Sequence, residues 1–339
     1  MIKNNEPYLY LDGLKEISKK LIGNEKIHIG IRPFGFHAGN KMALIAYPYL
    51  LAEQMKLNGI EPKFELFISI NDFEPNELSY LEKKDDYYYY KKIADYLDTE
   101  EPTFGSNINC EKTNIGNLPD TFGCHKSIVD HYEEIIKKDI KETFENDFPK
   151  IKFNFVRNSK LLNKEIFKKY LKLSIQSPGE IASIIQKATG EKILINLAKY
   201  AGAICPSCKS SLGDTKIFDS NVIFECVNCK RMFSRDITEF DYWIYHKPLL
   251  IPRLLTFEID LCIRGGDHYQ GGSVNVNSLL LKKFEPDFKE PLTLITPVVK
   301  DKNGNKLSKS YKNIIDISAS KTIDLARKCK KDSVILDKS

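Results

Sequence analysis

Two short polar segments carry the residue types for phosphate chemistry. His37-Ala38-Gly39-Asn40 closes an apolar strand-like run near the N-terminus, and Lys306-Leu307-Ser308-Lys309-Ser310 follows a polar turn near the C-terminus. A histidine and a glycine at a helix N-terminus can meet phosphate, and two lysines on a loop can neutralise it. Taken as a pair in this order, the segments predict a site for ATP. A third segment lies between them: Gly265-Gly266-Asp267-His268 follows the strand-like run 256–263. Glycines beside an Asp-His pair let a ligand approach the backbone, and Asp267 can accept from a ribose hydroxyl or an amine. The plain alternative for this segment is a Gly-rich turn with a capping Asp.

A different chemistry is written in the cysteines. Cys205-Pro206-Ser207-Cys208, then seventeen residues, then Cys226-Val227-Asn228-Cys229 has the paired-knuckle spacing of a zinc ribbon. Four thiolates leave no open coordination position, so the predicted Zn2+ is structural. Ile217-Phe218 and Val222 to Glu225 fit short strands around a turn at Asp219-Ser220-Asn221. Cys110, Cys124, Cys262 and Cys329 show no ligand spacing and read as small packing residues.

The elements that must position these groups follow from periodicity. Lys26 to Ile31 reads as a buried strand, Lys41 to Leu57 as an amphipathic helix and Lys63 to Ile70 as a second strand. Strand, glycine-bearing loop, helix and strand begin a parallel sheet, in which ligands bind at the carboxyl ends. Helical segments are expected around 126–145 and 158–172, a helix over Ser273–Phe284, and strands over 256–263 and 291–299. Lys300 to Asn305 supplies turn chemistry ahead of the lysine-serine loop. Tyr87 to Tyr90 read as packing residues, because four adjacent tyrosines cannot share one face for stacking a base.

With 339 residues, 42% hydrophobic, the chain can bury one large core or two smaller ones. A net charge of only +5 does not demand a polyanionic partner. No apolar run approaches the length of a membrane span, and residues 1–5 lack the apolar core of a signal peptide. The expected location is cytoplasmic, where paired Cys-x-x-Cys motifs favour metal over disulfide.

His37 to Asn40, Gly266 to His268 and Lys306 to Ser310, in that order around a zinc-bearing insertion, resemble the catalytic domain of class I aminoacyl-tRNA synthetases. The first is similar to the HIGH signature and the last to the KMSKS signature. Within that group the likeness is to class I lysyl-tRNA synthetase: Asn40 at the fourth signature position, Pro33 and Gly35 upstream of it, Asn71-Asp72-Phe73 after the second strand, and Gly265 to His268. The likeness covers roughly residues 26–315.

The resemblance implies an α/β, Rossmann-like parallel sheet with helices on both faces, split by a large insertion. The expected halves are 1–100 and 236–315, with the insertion at 101–235, its ribbon at 203–232, and a short tail at 316–339. It implies ATP-dependent activation of an amino acid, lysine or a relative, to an aminoacyl adenylate, with Mg2+ accompanying ATP. His37 and Asn40 would then bond the phosphates, with Lys306 and Lys309 neutralising the departing pyrophosphate. Ser308 and Ser310 add hydrogen bonds to ATP. Gly35, Gly39 and Gly266 make room for the nucleotide, Asp267 and His268 hold its ribose or adenine side, and Asp72 pairs with the substrate ammonium. The acceptor of the aminoacyl group is a tRNA, a nucleoside, a carrier protein or a small amine. About 29 residues follow Ser310, too few for the helical anticodon-binding region of that family, so anticodon reading is expected to be absent. Gly266 stands where the family has Lys, and Ala38 departs at the second signature position.

Two other classes compete. A catalytically silent, synthetase-like RNA-binding or regulatory protein would bind ATP without turnover. A small histidine-signature nucleotidyltransferase would lack the large zinc-bearing insertion.

Overall fold

The computed structural model describes residues 6–31, 37–72, 81–84, 87–90, 116, 120, 122–161, 164–190, 201–202, 205–207, 213–218, 221–226, 229–236, 239, 242–243, 250–307, 315, 317–329 and 331–336. Six strands form its central sheet: β1 (Tyr8–Leu9), β2 (Lys26–Ile31), β3 (Glu65–Ile70), β4 (Lys152–Arg157), β5 (Leu261–Gly265) and β6 (Leu292–Thr296). Their spatial order is β1-β6-β5-β2-β3-β4, and every neighbouring pair is parallel. The chain builds outward from β2 through β3 to β4, then returns to set β5 against the other side of β2. That reversal opens a crevice at the carboxyl ends of β2 and β5, where doubly wound sheets bind ligands.

Alternation sorts the side chains of each strand to two faces. Ile27, Ile29 and Ile31, with Leu66, Ile68 and Ile70, join Leu14 and Ile17 of α1 (Tyr10–Ser18) in one buried cluster. The helical run from α2 (Ala38–Lys41) through α3 (Tyr47–Leu57), α4 (Ile128–Phe144) and the C-terminal helix 319–328 add Leu44, Leu51, Ile136, Ile140, Ile323 and Ala326 to it. On the opposite face Cys262 and Phe67 meet a second cluster. It is supplied by Tyr170, Ile181 and Ile185 of helices 165–176 and 178–189, Leu250 and Leu254 of helix 250–257, and Val276 and Leu280 of helix 273–284. Full burial of each such side chain is worth about 1.5–3 kcal/mol, so the two helical layers hold the sheet from both sides. The architecture is the Rossmann-like α/β fold expected from the sequence.

Several sequence expectations need correction. The run 256–263 is not one strand. Helix Leu250–Phe257 ends there, Glu258 turns with φ 50°, and only Leu261–Gly265 pairs. The apolar positions Leu250, Ile251, Leu254 and Leu255 had the helical i, i+3, i+4 pattern all along. The run 291–299 breaks at Pro297, which has no N–H, and Val298–Asp301 leaves the sheet to pair in parallel with Ser333–Leu336. Residues 128–157, assigned to the insertion, instead supply α4 and the edge strand β4 of the main sheet. Residues 316–339, expected as a tail, include helix Ala319–Lys328, whose Ile323 and Ala326 are buried in the core. Gly213–Phe218, Asn221–Cys226 and Met232–Asp236 form a three-stranded antiparallel sheet, with Phe218 opposite Asn221. Tyr87–Tyr90 pairs with Leu81–Lys84 as a hairpin. Among the described residues no helix is long and apolar enough to cross a membrane.

Candidate functional site

The first polar segment leaves β2 at the crevice. His37 is extended, with φ −96° and ψ 172°, and caps α2: its Nδ1 accepts from the Gly39 amide at 3.1 Å. With Nδ1 accepting, the neutral ring carries its proton on Nε2, which makes Nε2 a donor. Gly39 is required by the ring itself, since a Cβ there would stand 2.9 Å from His37 Cε1. Gly39 therefore makes room for His37. The early amides of the helix are already engaged: Ala38 donates to the Ile315 carbonyl at 3.2 Å and Asn40 to the His37 carbonyl at 2.9 Å. An anion at this end thus meets side chains before it meets backbone amides.

Past α2 the helix widens into a π turn over Met42–Ala46, where the Tyr47 amide bonds back to the Met42 carbonyl. Pro48 explains it, because proline offers no donor to the carbonyl one turn earlier.

From the other side of the crevice, β5 leads into the short helix Gly266–Gln270. Gly266 touches the end of β6 so closely that a Cβ would lie 2.8 Å from the Thr296 carbonyl oxygen and 2.9 Å from Val298 Cγ2. No side chain, lysine included, fits there without moving the backbone. Asp267 accepts from Lys306 Nζ at 2.6 Å, which brings the second and third motifs into direct contact. Both side chains are more than a third exposed, so the pair marks position and contributes at most about 1 kcal/mol. Burial pushes the Asp267 carboxyl upward, but the charges of His268 and Lys306 outweigh it and hold it below its ordinary value. His268 itself is exposed.

Lys306 is presented by a rigid turn. Asp301 Oδ1 accepts from the Asn303 and Asn305 amides, both at 2.9 Å, and Gly304 takes φ 80°. Next to it Leu307, 2% exposed, anchors in the core and donates its amide to the Val299 carbonyl at 2.9 Å. Gly35, Ser308, Lys309 and Ser310 lie outside the described residues. Asp72 is built into the framework: 3% exposed, its carboxylate accepts from the Ser159 amide at 2.9 Å and from the Ser159 hydroxyl. It thereby ties the end of β3 to helix Asn158–Leu161, which follows β4.

Three of the four ribbon cysteines converge. Cys205, Cys226 and Cys229 have ligand atoms within 4.8 Å of one another, and Cys205 Sγ lies 3.6 Å from Cys229 Sγ; Cys208 is outside the described residues. A second cluster went unread in the sequence. Asp120, Cys124, His125 and His131 also place one ligand atom each within 4.8 Å of the others. Cys124 Sγ is 3.0 Å from His125 Nδ1 and 3.1 Å from His131 Nδ1, so it is no packing residue. The Asp120 carboxylate also orders the loop, accepting from the amides of Phe122, Cys124 and His125. Glu134 Oε2 lies 2.6 Å from His125 Nε2, where an outer carboxylate would orient the imidazole if His125 held a metal. This mixed N, S and O set suits a divalent transition metal. The available signal was the Asp-x3-Cys-His-x5-His spacing, which no paired cysteine announces.

A family model described as tRNA synthetases class I (K) matches residues 74–326, a span that includes both clusters, Gly266 to His268 and Lys306. No curated protein matches the chain. Similar solved structures include tyrosyl-tRNA synthetase from Archaeoglobus fulgidus, with 12% identity over 93% of this chain and 68% of that one, at a TM-score of 0.41. Tryptophanyl-tRNA synthetase from Campylobacter jejuni shows 16% identity over 89% and 64%, at 0.38. A glutamate tRNA ligase from Elizabethkingia meningosepticum shows 15% over 85% and 52%, at 0.36, so the chain spans between half and about two thirds of these relatives.

Proposed function

Since the chain belongs to the class I tRNA synthetases, in the family described as tRNA synthetases class I (K), we propose that it activates an amino acid, lysine or a relative, with ATP. A carboxylate oxygen of the amino acid attacks the α-phosphorus, the bond to the β-phosphate oxygen breaks, and pyrophosphate leaves with the electron pair. The aminoacyl group then passes to a tRNA or another acceptor. The supporting observation is the bond from Lys306 to Asp267, which follows β5, the strand paired with β2 at the reversal of the sheet.

In this reading His37 donates from Nε2 and Asn40 from its side-chain Nδ2 to phosphate oxygens, lowering the energy of the charge that develops as pyrophosphate departs. Lys306 exchanges Asp267 for phosphate, and Lys309, Ser308 and Ser310 join it. Asp267 then turns to the ribose, with His268 beside it and Gly35 and Gly266 keeping the backbone close. Mg2+ arrives with ATP and neutralises phosphate charge. Asp72 orients the substrate side of the pocket by bracing β3 against Asn158–Leu161. Cys205, Cys208, Cys226 and Cys229 hold a structural Zn2+, and Asp120, Cys124, His125 and His131 hold a second; a cytoplasmic setting keeps these thiols reduced.

The test is amino-acid-dependent exchange of labelled pyrophosphate into ATP, run with each amino acid in turn, followed by charging of bulk tRNA. Lysine is expected to give the fastest exchange. ATP binding with no exchange for any amino acid would overturn the activation reading in favour of a silent, RNA-binding relative.

A further inference from the structure

Lys41 is 5% exposed although it carries an ammonium, and its partners include Asp139 Oδ2 of α4 at 3.0 Å and the Ile317 carbonyl at 3.0 Å. For stability alone a buried ammonium paired with a half-buried carboxylate is a poor choice, because an apolar contact of similar volume does as well or better. What it supplies is geometry. It joins α2, α4 and the segment that leads into helix Ala319–Lys328. At the other end of α2, the Ala38 amide donates to the Ile315 carbonyl. Both ends of the helix bearing Asn40 are thus tied to residues that follow segment 308–314. On the near side of that segment Leu307 is anchored to Val299.

We propose that Lys41 and Asp139 form a positioning pair that holds the His37–Asn40 segment in register with Lys306; the proposal rests on the activation reading above. Lys41 touches no reacting atom. It acts through α2: one turn of helix separates it from His37, so a shift of α2 against Lys306 misplaces the phosphate donors. Behind the pair a groove of about 440 Å3, lined in part by Thr143, Ser318 and Asp324, has room for a guanidinium in place of the ammonium.

The test uses the full chain with Lys41→Met, Lys41→Arg, Asp139→Asn and the double variant Lys41→Met/Asp139→Asn. Lys41→Met is expected to lower kcat for pyrophosphate exchange roughly a hundredfold, the scale of a misplacement of about 1 Å. KM for ATP should stay within about twofold, since binding contacts are intact. Lys41→Arg should keep most of kcat. The double variant should regain thermal stability that Lys41→Met loses, because Asp139 is no longer left as a carboxylate without its ammonium, yet stay slow. Hydrogen exchange at the Ala38 amide should accelerate in both Met variants. A double variant that recovers stability and kcat together would show a merely structural pair and overturn the proposal; so would wild-type kcat in Lys41→Met. Should Lys41→Met not fold, Asp139→Asn and the double variant decide on the same criteria. If the wild type supports exchange with no amino acid, the activation reading falls, and unchanged Ala38 protection in the variants overturns the anchor separately.

Discussion

His37 and Gly39 form a unit in which each explains the other. The imidazole caps α2 by accepting from the Gly39 amide, and it can lie there only because residue 39 has no Cβ. Gly39→Ala should rotate the ring away, lose the cap at a cost of about 1 kcal/mol, and slow pyrophosphate exchange roughly a hundredfold, as expected on removing an aimed donor. Equal exchange rates for Gly39→Ala and wild type would sink this account. The motif itself was legible, since His-x-Gly-Asn after an apolar strand is a local pattern. Which neighbour occupied the space over the glycine was not, because that depends on a side-chain rotamer two residues away. Asp72 shows the opposite limit. Its place after β3 was correct, but its hydrogen bonds to Ser159 link residues 87 apart in sequence, which no local pattern encodes.

Among the elements, α4 links the most sites. Its first turn is closed by the Ser127–Asp130 capping box, its His131 enters the four-donor cluster, and its Asp139 meets Lys41. Arg157, the last residue of β4, bonds Asp130 at 2.5 Å and Glu133 at 2.7 Å, locking the helix to the sheet edge. Burial acts to raise both carboxyls, yet the guanidinium, with Ser127 at Asp130 and Lys137 at Glu133, holds both below their ordinary values. Because the folded values are depressed, this stabilisation is complete above the unfolded carboxylate range and is lost as pH falls through the folded values. Arg157→Met should therefore lower the unfolding free energy by about 2 kcal/mol near neutral pH, with a gap that narrows steadily on acidification. Denaturant titrations at a series of pH values measure it, and a gap independent of pH would refute the assignment. Each cluster should also carry its own metal. We expect two equivalents of zinc per chain by elemental analysis, with one lost in Cys124→Ser and the other in Cys226→Ser. A single equivalent insensitive to Cys124→Ser would remove the second site. The convergence of Cys205, Cys226 and Cys229 was expected because the paired Cys-x2-Cys spacing is a local sequence pattern. The other cluster rests on a loop folding back on a helix, with one cysteine and no knuckle.

For the molecule as a whole, a single topological fact organises the rest: the chain lays β2, β3 and β4 in one direction and β5, β6 and β1 in the other. The strands that precede the His37 and Asp267 motifs are then neighbours in the sheet although more than two hundred residues separate the motifs, and Lys306 arrives from beyond β6. Strand alternation, the helix over Ser273–Phe284 and the Asp301–Asn305 turn are local consequences of backbone preference and side-chain periodicity, and residue order alone prescribes them. The edge position of β4, the burial of Ile323 and Ala326, the Asp267–Lys306 contact and the Lys41–Asp139 pair have another origin. They follow from which apolar faces compete successfully for the two sides of one sheet, a competition among distant segments that no single stretch of sequence contains.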